Sequence, residues 1–171
     1  MDIVDCILAD HDRQRRWFSA LDEARDDTES LGKIWERLKN HLEAHAAAEE
    51  KFFYPRLLEC GTGALDSDSA EETTEDAIGD HNDIAEAAEE ADKHKVGSDK
   101  WWEKVDLCNC NNSSHLSEEE RQGLTDFRRH VPAEERRKLG VKYLAFEADH
   151  SGTYHRQEKD PDEYIEENQA A

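Results

Sequence analysis

The chain has few large apolar residues and a large excess of acidic ones. Leu, Ile, Val and Phe together supply 29 of its 171 residues, and its formal net charge is -21. This combination of low hydrophobicity and high charge is typical of chains that fold poorly on their own. We therefore predict a thin core that needs a metal ion or a partner. No run of ten apolar residues occurs, so no membrane-spanning helix is expected.

Basic residues and cysteines are also scarce. With 43 acidic side chains against 22 Lys and Arg, the chain is not expected to bind nucleic acid or an anionic membrane surface, which both require basic patches. Four scattered cysteines are too few for a disulfide scaffold. The N-terminal segment MDIVDCILADHDRQ has neither the basic region nor the cleavage site of a signal peptide. We therefore expect a cytoplasmic protein.

Only three prolines occur, and apolar residues recur at helical spacing throughout. The predicted helices are residues 3–25 with Asp2 as N-cap, Thr28 to about Cys60, one capped by Thr73 or Thr74, one that contains Trp101 to Gln122, and one over PAEERRKLGVKYLAFEA with Pro132 in its first turn. The tail from His150 is predicted to be irregular or loosely docked. The fold class is all-α: an antiparallel four-helix bundle over residues 1–131, with an additional helix and polar tail over residues 132–171 packed on or beside it.

Each of the four predicted bundle helices carries a histidine on its apolar face. In two helices, the segments 45-HAAAE-49 and 115-HLSEE-119 also place a Glu one turn after the His. A lone inward histidine is usually a hydrogen-bonded core residue, but two inward carboxylates are costly unless cations lie between them. We therefore predict a two-metal centre with mixed nitrogen and oxygen ligands, which suit iron or manganese. Its predicted ligands are His11, His45, Glu49, His81, His115 and Glu119.

The order His, His-x-x-x-Glu, His, His-x-x-x-Glu resembles the hemerythrin-like, or HHE cation-binding, family. The matching segments are ILADHDR, HLEAHAAAEEKFFYPRL, GDHNDI and SSHLSEEE, and the resemblance covers about residues 3–131. It implies a centre of two iron ions with an oxo or hydroxo bridge. It also implies that Glu49 and Glu119 bridge the irons and that each iron binds two histidines. The sequence does not show which histidines share an iron.

One departure from the family pattern bears on function. Oxygen-carrying members of the family have a further histidine four residues after the ligand on the third helix, where this chain has Ala85. Each iron then keeps an open position, which favours chemistry with peroxide, dioxygen or nitric oxide over reversible storage. His41 and Tyr54 are candidates for contact with the site, and Tyr54 is the candidate catalytic residue. The alternatives are a solvated histidine and a core tyrosine.

Three functions are compatible with these observations. The first is a di-iron redox enzyme of the peroxidase or catalase type, which turns over hydrogen peroxide or uses it to oxidise nitric oxide. The second is a module that carries or senses dioxygen, and the third is an iron-holding bundle. The absent histidine favours the first. The expected partners are these small molecules, whereas the oligomeric state is not predicted, since the fifth helix either covers the bundle or forms a dimer contact.

Overall fold

The computed structural model describes residues 1–63, 69–152 and 154–169. Within these ranges, all regular secondary structure is α-helical, which confirms the predicted all-α class. The helices are α1 (Ile3–Glu23), α2 (Thr28–Phe52), α3 (Tyr54–Cys60), α4 (Ala70–Asp92), α5 (Asp99–Arg121), α6 (Gly123–His130), α7 (Ala133–Asp149) and α8 (Pro161–Gln169). The long helices α1, α2, α4 and α5 form the predicted bundle. No helix among these is long and apolar enough to cross a membrane.

Two helix starts illustrate how local capping determines the boundaries. The carboxylate of Asp2 accepts a hydrogen bond from the Val4 N–H and caps α1, as predicted. The prediction for α4 was wrong by one turn, because the helix begins at Ala70. Ser69 and Glu72 form a reciprocal capping box there, and this pairing satisfies two N–H groups that the helix itself leaves free. The middle of the polar connection before it, residues 64–68, lies outside the described residues.

The helix predicted to run from Thr28 to about Cys60 is interrupted. Helix α2 ends at Phe52, and α3 begins at Tyr54 with Pro55 in its first turn. Proline has no N–H to donate to the preceding turn, and its ring crowds the carbonyl four residues earlier. The break turns both Phe53 and Tyr54 into the interior, where their side chains are fully buried.

The apolar core is divided into two clusters. One contains Ile7, Ala48 and Ile78 together with residues of α3, α6 and α7. The other contains Phe18, Leu42, Ile84 and Trp101. Along each of α1, α2 and α4, a histidine lies between a residue of the first cluster and a residue of the second. A polar layer therefore crosses the middle of the bundle.

The chain after the bundle packs against it. Helix α7 contacts α1 and α2, and α8 contacts α3 and α4. The prediction of an irregular tail was wrong for α8. Asp160 accepts a hydrogen bond from the Glu163 N–H, and Pro161 occupies the first helical position, where its missing N–H costs nothing. The α8 residue Tyr164 donates its hydroxyl proton to the Glu50 carbonyl and so ties α8 to α2.

Candidate metal centre

Buried polar side chains from all four bundle helices form the layer between the two apolar clusters. Helix α1 supplies one histidine, α2 a histidine and a glutamate, α4 one histidine, and α5 a histidine and a glutamate. None of them is more than 3% exposed. All six predicted ligands lie in this layer: His11, His45, Glu49, His81, His115 and Glu119.

Glu49 lies between two pairs of histidines. Its Oε1 is 3.0 Å from Nε2 of His45 and 3.8 Å from Nε2 of His11. Its Oε2 is 3.3 Å from Nε2 of His81, which in turn lies 3.2 Å from Nε2 of His115. The atoms form two possible ligand groups that share Glu49. The structure therefore groups His11 with His45 and His81 with His115, a pairing that the sequence left open.

Glu119 lies beside the first of these groups. Its Oε2 is 3.0 Å from Nε2 of His11, and its Oε1 accepts a hydrogen bond of 2.7 Å from the hydroxyl of Tyr54. One oxygen therefore faces the histidines, and the other is held by the tyrosine. The bridging role that the family resemblance implies for Glu119 stays a prediction.

The outer nitrogen of each histidine faces a polar side chain. A neutral imidazole that donates from Nδ1 presents its Nε2 lone pair to the centre of the bundle, which is the form that binds a metal ion. The partners of Nδ1 are Glu120 for His11 at 2.9 Å, Tyr143 for His45 at 2.7 Å, Glu50 for His81 at 2.9 Å and Asp80 for His115 at 3.4 Å.

Five of the inward atoms lack hydrogen-bond partners. Nε2 of His11, Nε2 of His45, both carboxylate oxygens of Glu49 and Oε2 of Glu119 are all buried without a hydrogen bond. Buried polar atoms of this kind are costly unless something satisfies them. Imidazole nitrogens and carboxylate oxygens are suitable ligands for first-row transition metals. The residues therefore fit a metal centre.

The electrostatics of the layer also favour a cation. Burial lowers the pKa of His11, but the nearby carboxylates of Glu119 and Glu49 outweigh burial and raise this pKa to about 9. Burial opposes the charge on Glu49, but the positive charge of His45 and the close contacts of both oxygens with histidine nitrogens keep its pKa well below the usual value. Without a metal ion, protonated histidines thus supply the positive charge beside these carboxylates. A metal ion would displace these protons and supply the positive charge instead.

The two further candidates from the sequence lie in different places. Tyr54 reaches the layer through Glu119, and its ring packs edge-on against His81 at 6.0 Å between centroids. Burial and the nearby carboxylates raise its pKa well above the usual value, so its hydroxyl keeps its proton. His41 lies outside the six residues, beside Asp10 and Glu147.

Several residues that face the outer histidine nitrogens or support such contacts were not predicted in that role. Glu50 and Glu120 directly follow the glutamates of the two His-x-x-x-Glu segments, so the paired glutamates were a visible signal. Tyr143 had no such signal, because it lies on a helix that the sequence only predicts to be appended. Its hydroxyl accepts from His45 and donates to Asp10.

A small cavity of about 20 Å³ lies beside the second histidine pair. His81 and His115 form part of its wall, and Ala85 and Ala88 of α4 form another part. Arg156, from the chain that precedes α8, also lines it. A small molecule in this cavity would therefore contact Ala85. Oxygen carriers of the hemerythrin-like family have a histidine at this position.

Comparison with known proteins agrees with the geometry. The family model described as the hemerythrin HHE cation binding domain matches residues 2–137. No curated protein and no solved structure matches the chain. The matched range includes the six predicted ligands and Tyr54. Tyr143 and Arg156 lie beyond it.

Proposed function

The chain belongs to the hemerythrin HHE cation-binding family, and we propose that it is a di-iron enzyme that turns over hydrogen peroxide, alone or together with nitric oxide. His11 and His45 would hold one iron, and His81 and His115 the other. Glu49 would be shared between them. Glu119 would complete the first group. The five inward atoms without hydrogen bonds support this assignment.

The cavity beside Ala85 is the observation that carries the choice of reaction. It adjoins the second histidine pair and has room for only a very small molecule. With an alanine in place of a further histidine, this side of the centre keeps space for a reactant. Hydrogen peroxide and nitric oxide are of suitable size.

Two adjacent iron ions would supply oxidation and reduction of such a reactant. The reaction balances without another protein: two hydrogen peroxide molecules give two water molecules and one dioxygen, or one hydrogen peroxide and two nitric oxide molecules give two molecules of nitrous acid. The chain's own residues orient the groups of the site. The Nδ1 partners fix the histidine rings, Tyr54 holds a proton at Glu119, and the small side chains of Ala85 and Ala88 leave the cavity beside the second histidine pair open.

Replacement of Ala85 by histidine tests the open position. The new imidazole lies one turn after His81 on the same helix and would fill the cavity side of the centre. We expect Ala85→His to retain iron and to lower peroxide turnover by about tenfold or more. Peroxide consumption and oxygen evolution by the iron-loaded protein measure this.

The matched control is Glu86→His, which adds a histidine at an exposed position of α4 and should leave turnover unchanged. Equal turnover in Ala85→His and the unchanged protein would contradict the assigned cavity. Reversible dioxygen binding without peroxide turnover in the unchanged protein would favour a carrier. Iron retention with neither property would favour an iron-holding bundle.

A further inference from the structure

A second cluster of potential metal ligands lies next to the first centre but shares no residue with it. Asp10 of α1, His41 of α2 and Glu147 of α7 bring ligand atoms within 4.8 Å of one another. Asp10 is 2% exposed, and the Glu147 side chain is 14% exposed. Three helices therefore converge on one partly buried group with nitrogen and oxygen donors.

His41 is the unusual member of this cluster. It is 5% exposed, and its Nε2 has no hydrogen-bond partner. This nitrogen lies 3.8 Å from Oδ1 of Asp10, and Nδ1 lies 3.9 Å from Oε1 of Glu147. Such separations exceed a hydrogen bond. One imidazole gives only one nitrogen to a given ion. Two ligands that each lie about 2.0–2.2 Å from one ion can be up to about 4.4 Å apart, so the 3.8 Å between Nε2 of His41 and Oδ1 of Asp10 fits a shared ion. One ligand atom from each of the three residues lies within 4.8 Å of the other two.

The two carboxyl groups of the cluster repel each other when both are charged. Burial and the negative charge of Asp10 raise the pKa of Glu147 to about 7. Asp10 also pairs with a cation, because the Arg13 guanidinium lies 2.9 Å from its Oδ1. The Arg13 side chain is 49% exposed, so it can move into solvent without leaving a buried charge unpaired.

The cluster is also open to solvent. A surface cleft of about 210 Å³ is lined by His41, Glu147 and His150, together with Arg13 and Arg37. An ion and its water ligands can enter from this side without passing through the main centre. We propose that Asp10, His41 and Glu147 form a separate binding site for a divalent transition metal ion of the zinc type, completed by water.

Zinc titration of the iron-loaded protein tests this site, with both metals counted per chain by mass spectrometry. We expect the unchanged protein to bind one zinc ion in addition to its iron. His41→Ala and the nearly isosteric Glu147→Gln should each weaken zinc binding by about tenfold or more while iron content stays the same. Arg13→Gln should strengthen it by about two- to fivefold, because the competing guanidinium is gone.

His130→Ala is the matched control, since His130 also pairs with a carboxylate, that of Asp126, but lies outside the cluster. It should bind zinc as the unchanged protein does. No additional zinc in the unchanged protein, or equal zinc binding in His41→Ala and Glu147→Gln, would overturn the proposal. A preparation without iron would overturn the di-iron function only, because the zinc difference between the unchanged protein and His41→Ala would still report on this cluster.

Discussion

Tyr54 shows how much a single hydroxyl can contribute to this centre. The carboxylate of Glu119 uses one oxygen towards His11 and the other as acceptor for Tyr54. Both residues are at most 3% exposed, so no water replaces a lost hydrogen bond. Tyr54 therefore sets the orientation of Glu119 and supplies the proton nearest to it.

Tyr54→Phe should destabilise the metal-free protein and alter the iron-loaded one. The change leaves a buried carboxylate oxygen without a donor, which costs about 1–3 kcal/mol in the free energy of unfolding. In the iron-loaded protein, we expect a shifted optical spectrum and a lower rate of peroxide turnover. Chemical denaturation and absorption spectroscopy measure the two effects.

Tyr164→Phe is the appropriate comparison, because that hydroxyl donates to a neutral backbone carbonyl, that of Glu50. It should cost some stability without a change in the spectrum. If Tyr54→Phe had the same spectrum and turnover as the unchanged protein, Tyr54 would be a packing residue only.

At the residue scale, the sequence predicted the layer better than its surroundings. Helical periodicity alone places His45 and Glu49 on one face, and the cost of buried carboxylates indicates cations. The contact of Tyr54 could not be derived in this way, because an ideal helix turns this side chain away from His45. It depends on the break before Pro55.

At the element scale, the C-terminal segment (residues 154–169) supports the second histidine pair. The guanidinium of Arg156 donates from Nε to Glu50 at 2.6 Å and from Nη2 to Asn82 at 2.9 Å. Glu50 is also the Nδ1 partner of His81. The Arg156 side chain is 3% exposed, so this chain of contacts is buried. The segment thus reaches a predicted metal ligand through one intermediate carboxylate.

Arg156→Gln should loosen iron at the second histidine pair. Loss of the guanidinium leaves Lys159 as the remaining cationic side chain paired with Glu50, so the carboxylate and the His81 ring that it contacts are held less firmly. Removal of such a supporting contact typically weakens metal binding by about 10- to 100-fold. The rate of iron release to a chelator measures this effect. His155→Ala, at a neighbouring side chain that is 78% exposed, should release iron at the unchanged rate, and equal rates in both variants would contradict the supporting role.

The sequence predicted the long helices and missed the contribution of the chain after them. Composition made residues 150–171 look like a polar tail, since the segment has few apolar residues. Its attachment depends on ion pairs and side-chain hydrogen bonds to distant residues such as Glu50 and Asn82. Periodicity does not report contacts of this kind. The Asp160–Pro161 start of α8 was the available local signal.

For the whole molecule, the division of the core explains why a metal should matter to stability. The two apolar clusters are separated by the layer that contains Glu49 and its histidines. In the metal-free protein, that layer holds buried charges and unpaired atoms. Binding of an ion to the folded state alone adds stability that rises with the logarithm of the ratio of the free ion concentration to its Kd.

Removal of metal should therefore lower the melting temperature. An ion present at about 1,000 times its Kd adds about 4 kcal/mol, which corresponds to a shift of about 10 °C for a chain of this size. Thermal unfolding before and after chelation, followed by the return of iron, measures it. Identical melting temperatures would show that packing alone maintains the fold, and they would contradict the composition argument.

Iron content with the optical spectrum, measured in the unchanged protein and in Glu49→Gln, tests the central claim most directly. Glu49 belongs to both ligand groups, so its loss should affect both ions, whereas His94→Ala, in the turn after α4, should affect neither. We predict about two irons per chain in the unchanged protein and in His94→Ala, with the charge-transfer absorption of a bridged iron pair. We predict less than about half of that iron in Glu49→Gln. Full iron retention by Glu49→Gln, or an unchanged protein that binds no iron, would contradict a di-iron centre at this layer.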